Sequence, residues 1–192
     1  MNIQKIYNRY RIPEGLQQHM RWVAQVADQV VENWIGSNIN ADLVQQTALL
    51  HDMGNIIKFK RPFWGEMAKS EYFWMQTQEE FIAQYGSDVL LATRKIIDEL
   101  GLKNSVGRMV AEMGIITTNP NADVSYEARI VEYADCRVSL KGIVSFADRV
   151  ADLMARYDLV DDDIRVKAMR ENAKLVLQFV KKSQDQSNLL RE

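Results

Sequence analysis

Apolar residues recur at steps of three and four along almost the whole of this 192-residue chain, and the strict alternation expected of strands is nearly absent. That period commits most of the backbone to amphipathic helices packed through their apolar stripes. Only three prolines and nine glycines interrupt the pattern. An all-α fold follows, a compact single-domain helical bundle of about seven or eight helices.

The stripes can be read one by one. After Pro13 and Gly15, Leu16, Met20, Val23, Ala27, Val30 and Trp34 share one helix face, and His19 sits on that stripe. A second helix opens at Asn40, a good N-cap, and is expected to run through Leu43, Val44, Thr47, Ala48 and Leu50 until Gly54 stops it. That length puts His51 on the face of Val44. Residues 55–65 read as a basic, aromatic loop containing Lys58, Lys60, Arg61 and Pro62. Further helices are expected over about 68–84, 87–100 and 104–117, the fourth capped by Ser87 and stopped by Gly101. Thr117 to Asp123 is turn-rich, and a helix from Ser125 carries Ala128, Val131, Ala134 and Val138 inward with Asp135 among them. Two more helices, about 145–157 and 161–182, complete a single domain over 1–182, with Asp161-Asp-Asp163 as the acidic start of the last. The polar tail 183–192 is expected to be mobile.

Composition narrows the function classes. A net charge of -2 and a pI near 5.8 give no general attraction to polyanions, so bulk nucleic acid is disfavoured. No apolar run approaches the ~20 residues of a membrane span. The single Cys136 cannot form a disulfide within the chain, and the first residues lack the apolar core of a signal peptide, so a cytoplasmic location is expected. Tyr72-Phe-Trp-Met75 reads as core or as a contact between copies in a homodimer.

The chemistry lies in three separated segments. The chain has two histidines, and His51 is followed directly by Asp52. His19, His51 and Asp135 each fall on the expected inner face of a different helix, so four potential ligands can converge. A carboxylate among apolar residues needs a cation or several donors, and a divalent metal would meet that need for Asp135. Two imidazoles and two carboxylates suit Mn, Fe, Co, Ni, Zn or Mg and leave coordination positions open to water and substrate.

Leu16-Gln-Gln-His-Met-Arg-Trp-Val-Ala24, Ala48-Leu-Leu-His-Asp-Met-Gly-Asn55 and Ile130-Val-Glu-Tyr-Ala-Asp135, in this order, resemble the HD-domain superfamily of metal-dependent phosphohydrolases over about residues 12–140. The resemblance implies one divalent ion held by His19, His51, Asp52 and Asp135, with His51, Asp52 and Asp135 carrying catalysis. It also implies hydrolysis of a phosphoester of a small metabolite, a nucleotide first among them, by a metal-activated water. Lys58, Arg61, Arg94 and Arg137, with Lys60, are the cations near the motifs that could receive the phosphate. Two departures stand out. Val110-Ala-Glu-Met-Gly114 has none of the extra histidines that hold a second metal in many relatives, which leaves one metal unless Glu112 substitutes. Asn55 stands near where some nucleotidases of the superfamily carry an acid, so no general base is assigned. These departures motivate a rival reading, a non-catalytic module that binds or senses a ligand without turning it over; saturable binding without turnover would distinguish it.

Overall fold

A computed structural model describes residues 1–59 and 71–181 of the chain. Its helices are α1 (Ile3–Arg9), α2 (Glu14–Glu32), α3 (Ala41–Ala48), α4 (Glu71–Tyr85), α5 (Val89–Glu99), α6 (Val106–Ile116), α7 (Tyr126–Asp135), α8 (Phe146–Tyr157) and α9 (Ile164–Leu177). A short 3-10 helix, Asn55–Lys58, follows α3, and a two-stranded hairpin, β1 (Val138–Ser139) and β2 (Gly142–Ile143), separates α7 from α8. The all-α expectation holds. Lys60, Arg61, Pro62, the expected helix start at 68 and the tail 183–192 lie outside the described residues.

Two apolar clusters build the core. In the first, α2, α3, α6, α7 and α9 meet through residues such as Val23, Val44, Met109, Val131 and Val176. In the second, the end of α1 and the start of α2 meet α4, α5 and α6 through Tyr7, Met20, Trp74, Phe81 and Ile96. Helix α2 contributes to both, with Leu16 and Met20 in one and Val23 onward in the other. Where Trp34 leaves α2 it packs on Tyr126 and Phe179, and Ile35 N–H donates to Phe179 O, which ties the end of α2 to the end of α9.

Several element boundaries depart from the sequence expectation for identifiable reasons. Helix α1 was not expected; Asn2 caps it by accepting from Lys5 N–H, and Tyr7, fully buried, anchors it by donating its hydroxyl hydrogen to Leu49 O. Helix α5 is capped by Asp88, which accepts from Leu91 N–H, rather than by Ser87. Helix α7 ends at Asp135, so Val138 is buried from the hairpin and not from a helical stripe. Trp74 is core, while Tyr72, in the same turn of α4, is 68% exposed. At the start of α9, Asp163 caps the helix while Asp161 and Asp162 pair with Arg170 and Lys167. Among the described residues no helix is long and apolar enough to cross a membrane.

Candidate metal centre

The residues that carry the chemistry come from α2, from the turn after α3 and from the last residue of α7. Helix α3 stops at Ala48, and from Leu50 onward the chain tightens to bonds three residues apart: Leu50 N–H to Thr47 O, Met53 N–H to Leu50 O and Asn55 N–H to Asp52 O. His51 and Asp52 therefore stand on a tight turn, not on the helix that spacing predicted, and the face of Val44 does not determine where they point. Leu50 and Met53 on either side are fully buried in the second core cluster, which seats the turn. His51 Nδ1 lies 2.8 Å from Ala48 O, and a carbonyl can only accept, so Nδ1 carries the hydrogen.

Gly54 closes the turn against α5. A Cβ built there would sit 2.6 Å from Val89 O and 2.9 Å from Thr93 N, closer than any side chain tolerates. Its N–H donates to Thr93 Oγ1 at 2.9 Å instead of to the carbonyl of Leu50, the partner a continued α-helix would use. The backbone has already left the α-helical pattern at Leu50 N–H, and this bond ties the end of the turn to α5.

The four sequence-predicted ligands converge. His19 Nε2 is 3.0 Å from Asp135 Oδ1 and 3.5 Å from Asp52 Oδ2. His51 Nε2 is 3.7 Å from Asp52 Oδ2 and 3.9 Å from Asp135 Oδ1. The two imidazole rings are 5.6 Å apart between centroids. Ligand atoms ~2.1 Å from a shared ion at tetrahedral or right angles lie roughly 3.0–3.5 Å from one another, so these separations need only tenths of an ångström of adjustment. Two polar atoms point to a missing partner: His51 Nε2 and Asp135 Oδ1 are buried, and among the described residues they meet only other members of the cluster, with no hydrogen-bond partner outside it. Unsatisfied buried donors and acceptors are costly, and facing each other across this cluster they fit a cation. His19, His51 and Asp135 form the one group of possible metal-binding side chains among the described residues, and Asp52 reaches both imidazoles from beside it.

Electrostatics points the same way. Burial pulls the His51 imidazolium down, but the carboxylates of Asp52 and Asp135 outweigh it and push the pKa up to about 9. Burial raises the Asp135 carboxyl, yet bonding to His19 and His51 holds it well below the ordinary carboxylate range. Between them the acids demand a positive charge. Glu132, three residues before Asp135 on α7, is buried as well, and burial together with the charge of Asp135 pushes it up to about 8. Sequence reasoning passed over Glu132 although it stands inside the third motif, at the i−3 spacing that shares a helix face with Asp135. Thr93 carried no comparable signal, being 39 residues from the turn it binds.

The predicted phosphate-binding cations are placed differently from one another. Lys58 and Arg94 are exposed, on the 3-10 helix and on α5. Arg137 is 2% exposed; its Nε donates to Val144 O and its NH1 to the Tyr133 hydroxyl, which braces the hairpin against α7. Arg61 lies outside the described residues. Glu112, considered as a substitute ligand, is partly buried against the start of α7, accepting from Ser125 N–H at 3.0 Å and bonding the Ser125 hydroxyl. Its carboxylate caps the start of α7.

The family model for the HD domain matches residues 16–153, a span that contains His19, His51, Asp52 and Asp135. Comparison with curated proteins and with solved structures gives no match.

Proposed function

The chain belongs to the HD-domain family, a superfamily made up mostly of metal-dependent hydrolases, and from that membership we propose that it hydrolyses a phosphoester of a small metabolite, nucleotides being the first class to test. The observation that carries the reading is the convergence of His19, His51, Asp52 and Asp135, with the buried His51 Nε2 and Asp135 Oδ1 lacking any partner outside the cluster, on a place where the other side chains reach solvent. The His51 side chain is 3% exposed at the back, whereas those of Asp52 and Asp135 are 21% and 30% exposed at the front. An ion held there has one side closed by protein and one open to substrate.

His19, His51, Asp52 and Asp135 would hold the ion; Mn, Fe, Co, Ni, Zn and Mg all accept such a donor set. A divalent cation at this place supplies Lewis acidity, lowering the pKa of water from 15.7 toward about 7 and drawing charge from a phosphoryl oxygen. The chain's own groups do the rest. His51 keeps its hydrogen on Nδ1 through Ala48 O, so Nε2 presents a lone pair to the cluster. Asp52, between both imidazoles, is placed to accept a hydrogen bond from an attacking water and then its proton, and Asp135 holds His19 in position from the other side. Exposed Lys58, a few residues after Asp52, is the described cation best placed in sequence to meet a phosphate that reaches the open side.

Phosphate release from nucleoside monophosphates and p-nitrophenyl phosphate, assayed with each divalent ion in turn, tests the reading. The expected result is turnover with at least one ion, lowered by at least a hundredfold in Asp52→Ala. A folded protein that binds the ion and releases no phosphate from any of these compounds would contradict it and favour ligand sensing.

A further inference from the structure

We infer that Thr93, on α5, is a positioning residue for the metal centre: its hydroxyl fixes the turn that presents His51 and Asp52. The inference rests on the metal-binding reading above and deepens it. Nothing in the turn's own backbone accounts for its placement. From Leu50 to Asn55 the chain holds itself only through three-residue bonds, which set local curvature but not the direction in which the turn faces the rest of the protein. Two hydrogen bonds join it to other elements: ahead of the His-Asp pair Tyr7 of α1 donates its hydroxyl hydrogen to Leu49 O, and after the pair Gly54 N–H ends on a side chain 39 residues away.

Thr93 is built for that task. It is 1% exposed, so no water replaces it, and its Oγ1 accepts from Gly54 N–H at 2.9 Å while donating to Val89 O at 2.9 Å. Donor and acceptor capacities are both used, and the hydroxyl orientation is fixed by the second bond. The close approach is obligatory on the other side as well, since a Cβ on Gly54 would collide with Val89 O and Thr93 N. The turn is thus pinned at both ends of the His-Asp pair, by Ala48 O through His51 Nδ1 before it and by Thr93 after it. A neighbouring clamp extends the same support: Gln78 Nε2, from α4, lies 2.8–3.0 Å from the carbonyls of Ile56 and Ile57 on the 3-10 helix that follows and of Phe59 just after it. Residues that orient metal-binding side chains commonly change affinity 10–100-fold when lost.

The test compares wild type, Thr93→Val, which keeps the shape without the hydroxyl, and Thr93→Ser, which keeps the hydroxyl. Mn²⁺ titration calorimetry gives affinity, and amide hydrogen exchange of the metal-free proteins gives the protection of residues 49–54 against that of α2 and α7. Thr93→Val is expected to bind Mn²⁺ at least tenfold more weakly and to lose protection in 49–54 alone, and Thr93→Ser to restore both to within about threefold. Equal Mn²⁺ affinity in Thr93→Val and wild type overturns the inference while leaving the metal centre standing. Loss of protection across α2 and α7 as well, not restored by serine, also overturns it, because Thr93 would then serve the fold as a whole. A wild-type protein that takes no Mn²⁺ or other divalent ion, with its turn protected, overturns the metal reading itself and this inference with it.

Discussion

Glu132 places a third carboxyl beside Asp52 and Asp135, and its raised pKa couples the metal-free centre to pH. Its ordinary value is 4.5 and burial pushes it up to about 8, so over that interval the folded chain holds a proton the unfolded chain has lost. Stability must therefore fall as pH rises from about 5 toward 8. His51, moved from 6.5 up to about 9, acts with the same sign but only above its unfolded value, so the interval from about pH 5 to 6.5 isolates Glu132. Denaturant unfolding of chelator-treated protein should show wild type losing stability across that interval and Glu132→Gln holding nearly level; equal slopes would show that Glu132 is not buried in neutral form. The ligands themselves were legible as residues: two histidines in the whole chain and an aspartate on an apolar stripe left few alternatives. Their support was not. The N–H of Gly54 is taken by a threonine on another helix, and periodicity, which describes one segment at a time, carries no information about such a bond.

Among the elements, α7 matters most to the centre because Asp135 is its last residue, and its position depends on how its first turn is held. Ser125 accepts from Ala128 N–H and bonds Glu112, whose carboxylate also accepts from Ser125 N–H. This places a negative charge at the helix N-terminus, where the free N–H groups and the dipole favour it. Ser125→Ala should cost about 1 kcal/mol of unfolding free energy and leave metal stoichiometry unchanged, since the site end of α7 is packed independently through Val131 and Ala134. Chemical denaturation checks the first and elemental analysis the second. Helix stripes predicted most elements because most are amphipathic, and caps such as Asn40 and Ser125 were readable from residue type. Short pieces escaped: α1 is seven residues long and depends on Tyr7 reaching Leu49 O, and the hairpin after Asp135 has two residues in each strand. At that length tertiary contacts and not periodicity decide the conformation.

At the scale of the whole molecule, the centre draws on α7 from the first core cluster, the turn after α3 from the second and α2 from both, so an ion bound by all of them ties together parts of the chain that separate on unfolding. Binding to the folded state alone at a hundredfold excess over Kd contributes about 2.7 kcal/mol. For a domain of this size that corresponds to a rise in Tm of roughly 5–10 °C, at about 2–4 °C per kcal/mol. Thermal scans with and without added ion, then with chelator, should show the rise and its reversal in wild type and neither in Asp135→Ala. The central claim is that His19, His51, Asp52 and Asp135 form one divalent-metal centre, and the most direct test is metal content per chain by elemental mass spectrometry, on protein purified without a metal-affinity tag and incubated with Mn, Co, Ni or Zn. The account predicts about one ion per wild-type chain and close to none in Asp52→Ala or Asp135→Ala; folded wild-type protein that carries no ion after any of these incubations would contradict it.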